Sequence, residues 1–422
     1  MDKRIEKKTV YTTLFILIAI CQLYVESFRV NIFFQLGVLG FCFFLEPVRF
    51  SSKMYQHLSS LVLIMLIGFA GTAIHLYSAV NIYKDVFHFI KPIAGLLLGY
   101  TLFKRIGDLK MVARAIVLAS VITAIIHLCI ILFLTNFMSG KIEVIRFFTK
   151  DNFLELFGLF LLAYFPKYEG SEVFKNIWYK RIFISIMLLS SLLYFSRTMF
   201  VIAGIMWLTM KGYTKVTAKG LKVIAIVLTM TGLLYSYLFS ANIKRDGKGF
   251  EGFLYKIKNA PEEIFTFNID REDHADLWDH WRGYEAKRAL DLMHQNPSSY
   301  IFGTGHGSLV DLKFYAPITG EKKGIRFISD LHNGYIYIFY KTGVIGLAIY
   351  LFLLLRWYAY IYKRDNLMNI LISAGGLIFL MTTVMISGLY NNKDIIIFII
   401  GGALYLSHKS NVDRLQGSAI YE

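Results

Sequence analysis

The chain has 422 residues, a net charge of +16, and a composition that is 56% hydrophobic and 16% aromatic. A soluble domain does not carry that much apolar surface over that length, and apolar runs near the spanning length of about 20 residues recur from end to end. A β-barrel would instead show alternating segments of about 10 residues, and the sequence has none. The positive charge sits mainly in short loops between apolar runs, which excludes nucleic acid as the natural partner and fits a membrane topology. Cys21, Cys42 and Cys129 all lie in apolar runs and suit small core residues, with no disulfide framework or metal pattern.

In chain order, the basic head Met1–Lys8 precedes an apolar run without a small-residue cleavage site, and reads as a retained first span. Apolar runs predict spans near 10–25, 30–46, 57–80, 86–103, 109–135, 152–165, 182–196, 198–210, 222–240, 332–355, 367–387 and 394–407, about twelve in all. With the N-terminus placed in the cytoplasm, alternate loops hold most of the basic residues, among them Arg49, Lys53, Lys104, Arg105, Lys180, Arg181, Lys215, Arg356 and Arg364. The intervening short loops hold few, such as Arg29, Lys84, Lys141 and Lys393. This bias puts both termini in the cytoplasm and residues 241–331 outside. The expected organisation is 1–240 with nine spans, 241–331 as a large extracytoplasmic loop, and 332–422 with three more spans and a short cytoplasmic tail. Within the outer segment, Leu277, Trp278, Trp281, Tyr284, Ala289 and Leu292 share one side of a helix of period 3.6, which predicts an amphipathic helix ending at Asn296-Pro297.

Several polar residues in this layout are candidates for chemistry. Arg197 lies between two apolar runs at the outer face, where an arginine is costly unless it snorkels or binds something. Arg282 and Arg288 lie on the amphipathic helix; Glu285, one turn on from Arg282, is an obvious structural partner. An arginine fork donates two parallel hydrogen bonds and keeps its charge, so it suits a diphosphate. Phe302-Gly-Thr-Gly-His-Gly307 places Gly303, Gly305 and Gly307 at alternate positions, either a plain turn or a loop whose amides approach an anion. Asp273, His274, Asp276 and His280 cluster at a helix start without a closed metal-ligand spacing. His332 stands where the polar segment meets the next span. It is either a helix-start capping residue or a general base, with Asp330 or another carboxylate to orient it.

Together these pieces resemble the O-antigen ligase and polysaccharide polymerase superfamily over roughly residues 180–355. The matching pieces are Ser196-Arg197-Thr198, Arg282 with Ala289-Leu290 and Asn296-Pro297, Phe302 to Gly307, His332-Asn333-Gly334-Tyr335, and Gly343 with Gly346-Leu347. The resemblance implies an all-α, GT-C-like polytopic transmembrane bundle of about twelve spans with one long periplasmic loop. It also implies metal-independent, cofactor-free transfer of a glycan from a polyprenyl (undecaprenyl) diphosphate carrier to a glycan or lipid-core acceptor hydroxyl, at the outer face of the bacterial inner membrane. Transfer would invert the anomeric carbon, as in an O-antigen ligase or a repeat-unit polymerase. Arg197 and Arg282 would bind the diphosphate and His332 would assist the acceptor. Arg288, Gly303, Gly305, Gly307, Asn333 and Asp330 would support them. One departure stands out, because family members often carry a glutamate where this chain has Lys341. Two other readings compete: a transporter or flippase for polysaccharide or lipid-linked glycan, which would show internal repeats that this sequence lacks, and a non-catalytic partner in envelope assembly.

Overall fold

The computed structural model describes residues 3–135, 146, 151–245, 250–266, 269–270, 273–317, 324–363 and 365–418. Every apolar run of the sequence is a helix. In chain order these are α1 (Lys3–Tyr24), α2 (Phe28–Leu45), α3 (Ser52–Ile74), α4 (Ala79–Ile106), α5 (Leu109–Leu134), α6 (Phe153–Glu169), α7 (Ile177–Leu193), α8 (Arg197–Met210) and α9 (Ala218–Ser240). The polar segment folds as α10 (Phe250–Lys258), α11 (Glu262–Phe265), α12 (His274–Asp279), α13 (Trp281–Gln295) and α14 (Ser299–Phe302), followed by β1 (Val310–Ala316) and β2 (Ile325–Ile328). The chain then returns to long helices, α15 (Gly334–Tyr358), α16 (Leu367–Ile386) and α17 (Ile396–Ser418).

Seven of these helices are long and apolar enough to cross a membrane: α2, α3, α4, α5, α9, α15 with the 3-10 turn that continues it, and α16. The other apolar runs form α1 with its basic head, α6 and α7 of 17 residues each, α8 of 14, and α17, whose apolar part is Ile396–Ser410. The protein is therefore a polytopic helical membrane protein. Side-chain caps set many of the helix starts: Ser27, Ser51, Asp108, Asn152, Asn176, Ser196, Thr217, Asn333 and Asn366 each accept a backbone N–H of the first turn. The bundle centre is α4 against α17. There the helices meet nearly backbone to backbone, because a Cβ on Gly99 would lie 1.9 Å from the Phe398 carbonyl oxygen and one on Gly401 would lie 2.2 Å from that of Leu96.

The expected amphipathic helix is present but divided. It breaks at His280 into α12 and α13, and its apolar side faces protein: Leu277, Trp281 and Tyr284 pack with Leu312 and Ala316 of β1 in a small satellite core. The strands β1 and β2 pair antiparallel, Val310 opposite Ile328, with an irregularity before Ala316. Of the acidic cluster at the helix start, Asp276 accepts the Asp270 backbone N–H and lies 2.8 Å from His280 Nδ1. Glu272 and the side chain of His274 lie outside the described residues.

The polar segment grips the bundle through α14 and the glycine loop. Inside α15, Gly343 leaves the helical conformation at φ 64°. That break interrupts the i→i−4 ladder and frees the carbonyls of Tyr340 and Lys341. They accept instead from Thr304 N at 2.7 Å and Gly305 N at 3.1 Å. The two backbones touch there, since a Cβ on Gly303 would sit 2.3 Å from the Lys341 carbonyl carbon and one on Gly343 would sit 2.1 Å from the Ile301 oxygen.

Candidate active site

His332 is the residue before the N-cap of α15. Asn333 caps that helix, its Oδ1 accepting from Tyr335 N at 3.1 Å and Ile336 N at 3.3 Å. The peptide around His332 is pinned from the other side by the turn after α16. Ser387 N donates to the His332 carbonyl at 3.1 Å and Ser387 Oγ to the Leu331 carbonyl at 2.8 Å. The ring itself is held by Glu285 of α13. His332 Nδ1 lies 3.0 Å and 3.1 Å from the two carboxylate oxygens, and the His332 backbone N–H donates to Oε2 at 3.0 Å. Glu285 is only 2% exposed, and Trp281 Nε1–H gives it a further hydrogen bond of 2.6 Å. A buried carboxylate beside Nδ1 favours the tautomer with a proton on Nδ1, leaving the Nε2 lone pair on the far side of the ring. The His332 side chain is about half exposed (52%).

On one side of His332 is a cavity of about 560 Å³. Arg146, Arg197, Arg245, Lys256 and Arg282 line it with only two carboxylates, Glu263 and Asp279; Trp278 and Trp281 supply apolar wall. Arg197 is the first residue of α8. Its position is set by Ser196, whose Oγ accepts from Met199 N and donates to Asp151 Oδ2 at 2.8 Å. Its guanidinium bonds the Lys256 carbonyl and both oxygens of Glu263, at 3.0 and 3.1 Å. Arg282 reaches the same Glu263 carboxylate through Nη1, while its buried Nε has no hydrogen-bond partner among the described residues. One carboxylate thus bridges the two arginines that the motifs single out, although 66 residues separate it from Arg197 in the chain. Deeper in the wall, Arg245 and Tyr255 both bond Asp279, and burial together with that carboxylate pushes the Tyr255 hydroxyl up to about 12.

The other candidates lie outside this cavity. Arg288 bonds the Asp311 carbonyl at 3.1 Å and Asp291 at 2.6 Å, tying α13 to β1. Asp330 lies 3.5 Å from His88 Nε2, not at the His332 ring. The glycine loop spends its amides on the protein. Beyond the two bonds to α15, His306 N donates to the Gly68 carbonyl at 3.3 Å, and Gly307 N to Asp85 at 2.6 Å. Gly303, Gly305 and Gly307 all have positive φ, so the loop passes where only a chain without side chains fits. Lys341 explains the arrangement. Fully buried, it bonds Asp85 of α4 at 2.6 Å and the Ser308 carbonyl at 2.6 Å, stapling loop, α4 and α15 together.

Sequence reasoning passed over Glu285 as an orienting group and Glu263 altogether. Glu285 had one signal, its place one turn from Arg282 on the amphipathic helix; in the structure it binds His332, and Arg282 turns to Glu263. Glu263 had none, since its role depends on how α11 docks on α13.

The fold and the site define a class first: a polytopic membrane protein whose polar segment builds a cation-lined cavity beside a carboxylate-held histidine at one end of the bundle. Residues 182–351, which contain Arg197, Arg282, Glu285 and His332, match the family model described as O-antigen ligase, and that match supports membership of the family over this part of the chain. The match supports an O-antigen ligase or polymerase type of function in general. No curated protein matches the chain.

Proposed function

We propose that this protein transfers a glycan from a polyprenyl diphosphate carrier to an acceptor hydroxyl at the outer face of the inner membrane, as a ligase or a repeat-unit polymerase. The observation that carries the reading is the placement of His332. Its Nδ1 is held by a buried carboxylate, and it stands on the rim of a cavity with an excess of arginine and lysine. The excess of Lys and Arg in alternate loops supports the orientation, with both termini in the cytoplasm.

Each group has a chemical task. The donor diphosphate replaces Glu263 between Arg197 and Arg282, and the unpartnered Arg282 Nε–H adds a third donor to it. The acceptor oxygen attacks the anomeric carbon from the face opposite the diphosphate and loses its proton to His332 Nε2. The bond from the anomeric carbon to the phosphate oxygen breaks, and its electron pair leaves on the diphosphate, where the arginines meet the growing charge. Glu285 stabilises the imidazolium that forms. One displacement inverts the anomeric centre, and the fixed cations perform the neutralisation in this scheme without a metal.

Purified protein in lipid nanodiscs, given a polyprenyl-diphosphate oligosaccharide and candidate acceptors, tests the reading directly. A new glycosidic bond of inverted configuration is expected, abolished by His332→Ala and by Arg197→Ala. Carrier movement with no new bond, or full transfer by the Arg197→Ala/His332→Ala variant, overturns it.

A further inference from the structure

Arg197 follows directly on a tight, strained connection. Because α7 ends at Leu193 and α8 begins at Arg197, the residues Tyr194, Phe195 and Ser196 form the whole link between the two helices. Tyr194 is the C-cap of α7 and Ser196 the N-cap of α8. Phe195 between them takes φ 46°, in the left-handed region. Helix C-termini ordinarily place glycine in that conformation, because a residue with a Cβ is strained there. Strain of this kind persists only where the surroundings hold it.

Two anchors hold it, one on each side of Phe195, and both lie at the start of α6. The Tyr194 hydroxyl donates to Glu155 Oε1 at 2.9 Å, and the Ser196 hydroxyl donates to Asp151 Oδ2 at 2.8 Å. Glu155 and Tyr194 are 0% and 2% exposed, so their bond is sealed from solvent. Asn152, the N-cap of α6, gives its Nδ2–H to the same Glu155 oxygen at 2.9 Å while its Oδ1 accepts from Leu154 N at 3.1 Å. The acceptor is thereby fixed to its own helix end. The Tyr194 ring stacks on His127 of α5 with centroids 3.6 Å apart, and His127 Nδ1 lies 2.8 Å from Ser190 Oγ of α7. A buried hydroxyl deprived of its acceptor is costly, which keeps Tyr194 on Glu155.

The backbone angle at Phe195 sets the direction in which α8 starts, and Arg197 stands two residues on, with its side chain in the cavity wall. Relaxation of Phe195 to the ordinary negative φ would turn the first residues of α8 and carry the guanidinium away from that wall. We propose that Glu155 and Tyr194 are positioning residues for the reaction: their buried hydrogen bond holds Phe195 in its strained conformation and so aims Arg197 at the donor diphosphate. The proposal rests on the transfer reading above, through the role that reading gives Arg197. Neither residue lines the cavity, and both act through Arg197.

The test measures equilibrium binding of labelled polyprenyl diphosphate to the full-length protein in nanodiscs, with the thermal midpoint of each variant. Tyr194→Phe keeps the ring and its stack on His127 but removes the bond, and should weaken binding roughly three- to tenfold. Glu155→Leu should match it, whereas Glu155→Gln, which keeps an acceptor oxygen, should bind nearly as the unchanged protein does. Phe195→Gly added to Tyr194→Phe should recover most of the lost affinity without restoring the bond, since glycine takes a positive φ freely. Tyr194→Phe added to Arg197→Ala should cost nothing further, because its effect passes through the arginine. A lowered midpoint with donor affinity unmoved in Tyr194→Phe would make the bond structural only and overturn the assignment. So would a Phe195→Gly substitution that recovers nothing, or a further loss in the Arg197→Ala background. Each of these outcomes, alongside weakened binding by Arg197→Ala, leaves the transfer reading standing. Arg197→Ala that binds the donor as tightly as the unchanged protein removes the donor assignment of the transfer reading itself.

Discussion

Glu285 Oε2 lies 3.0 Å from His332 Nδ1 and the same distance from the His332 backbone nitrogen, so one buried carboxylate fixes both the ring and its main chain. In the proposed role of His332 as base, the carboxylate selects the tautomer and stabilises the charge that forms on the ring. Glu285→Gln keeps the size and an oxygen for the backbone N–H, but removes the negative charge opposite the imidazolium. Transfer should fall on the order of a hundredfold, within the range by which positioned bases accelerate reactions. Donor binding should be unchanged. Single-turnover kinetics at saturating donor separate the two effects, and a variant with normal turnover would remove Glu285 from the mechanism.

Glu263 bridges Arg197 and Arg282 where the donor's diphosphate is proposed to bind. In that proposal the carboxylate competes with the donor for the same guanidinium groups. Glu263→Gln should therefore bind polyprenyl diphosphate several-fold more tightly, while Arg282→Ala weakens it by at least tenfold. Arg282→Lys should recover little, since an ammonium offers a point charge and not a planar fork. Equilibrium binding of labelled polyprenyl diphosphate to the three variants gives the order. Weaker binding by Glu263→Gln than by the unchanged protein would instead make this carboxylate a support for the arginines.

The helical framework was legible because hydrophobic runs mark the apolar helices directly, whereas exact starts were not: the run expected from 57 lies inside α3, which begins after its Ser51 cap. The motif residues Arg197, Arg282 and His332 were also legible, and the structure brings all three to one cavity. Their partners were not. Glu263 and Glu285 act across elements whose docking depends on the α13–β1 satellite core and on backbone contact between Gly303 and Lys341, and neither carries a local pattern. The glycine loop shows the same limit from the other side. Alternate glycines fit an amide cradle and a tight packing seam equally well in sequence, and only the hydrogen-bond partners of the loop amides distinguish the two.

His306 packs fully buried in that loop, with Nε2 at 2.8 Å from the Met65 carbonyl and edge-on rings of Phe69 and Phe89 around it. Burial holds its pKa below the usual histidine value; the Met65 bond and Asp85 oppose that shift, and Lys341 adds to it. The unfolded chain then binds the proton more readily than the folded one. The contribution of this group is complete above the ordinary histidine pKa of about 6.5 and is lost as the pH falls below it. Thermal unfolding between pH 8 and pH 5 should show that loss. His306→Gln, whose amide retains a donor for Met65, should flatten the slope. An equal slope in the variant would place the acid sensitivity elsewhere.

Lys341 and Asp85 form an ion pair of 2.6 Å with side chains 0% and 1% exposed, inside the bundle and far from any screening by salt. Removing one member leaves the other charged, buried and unpaired, at a cost of about 3–5 kcal/mol. Lys341→Met should therefore lower the thermal midpoint sharply and release the 303–308 loop, although the residue does not line the cavity beside His332. Lys341→Glu should be worse, because it sets two carboxylates against each other. Lys341→Met combined with Asp85→Asn should cost less than the sum of its parts, since no bare charge remains. Midpoints of the single and double variants in the same nanodiscs decide the matter. Strict additivity would mean that the two side chains do not act as a pair, and the account of Lys341 as a staple would fail.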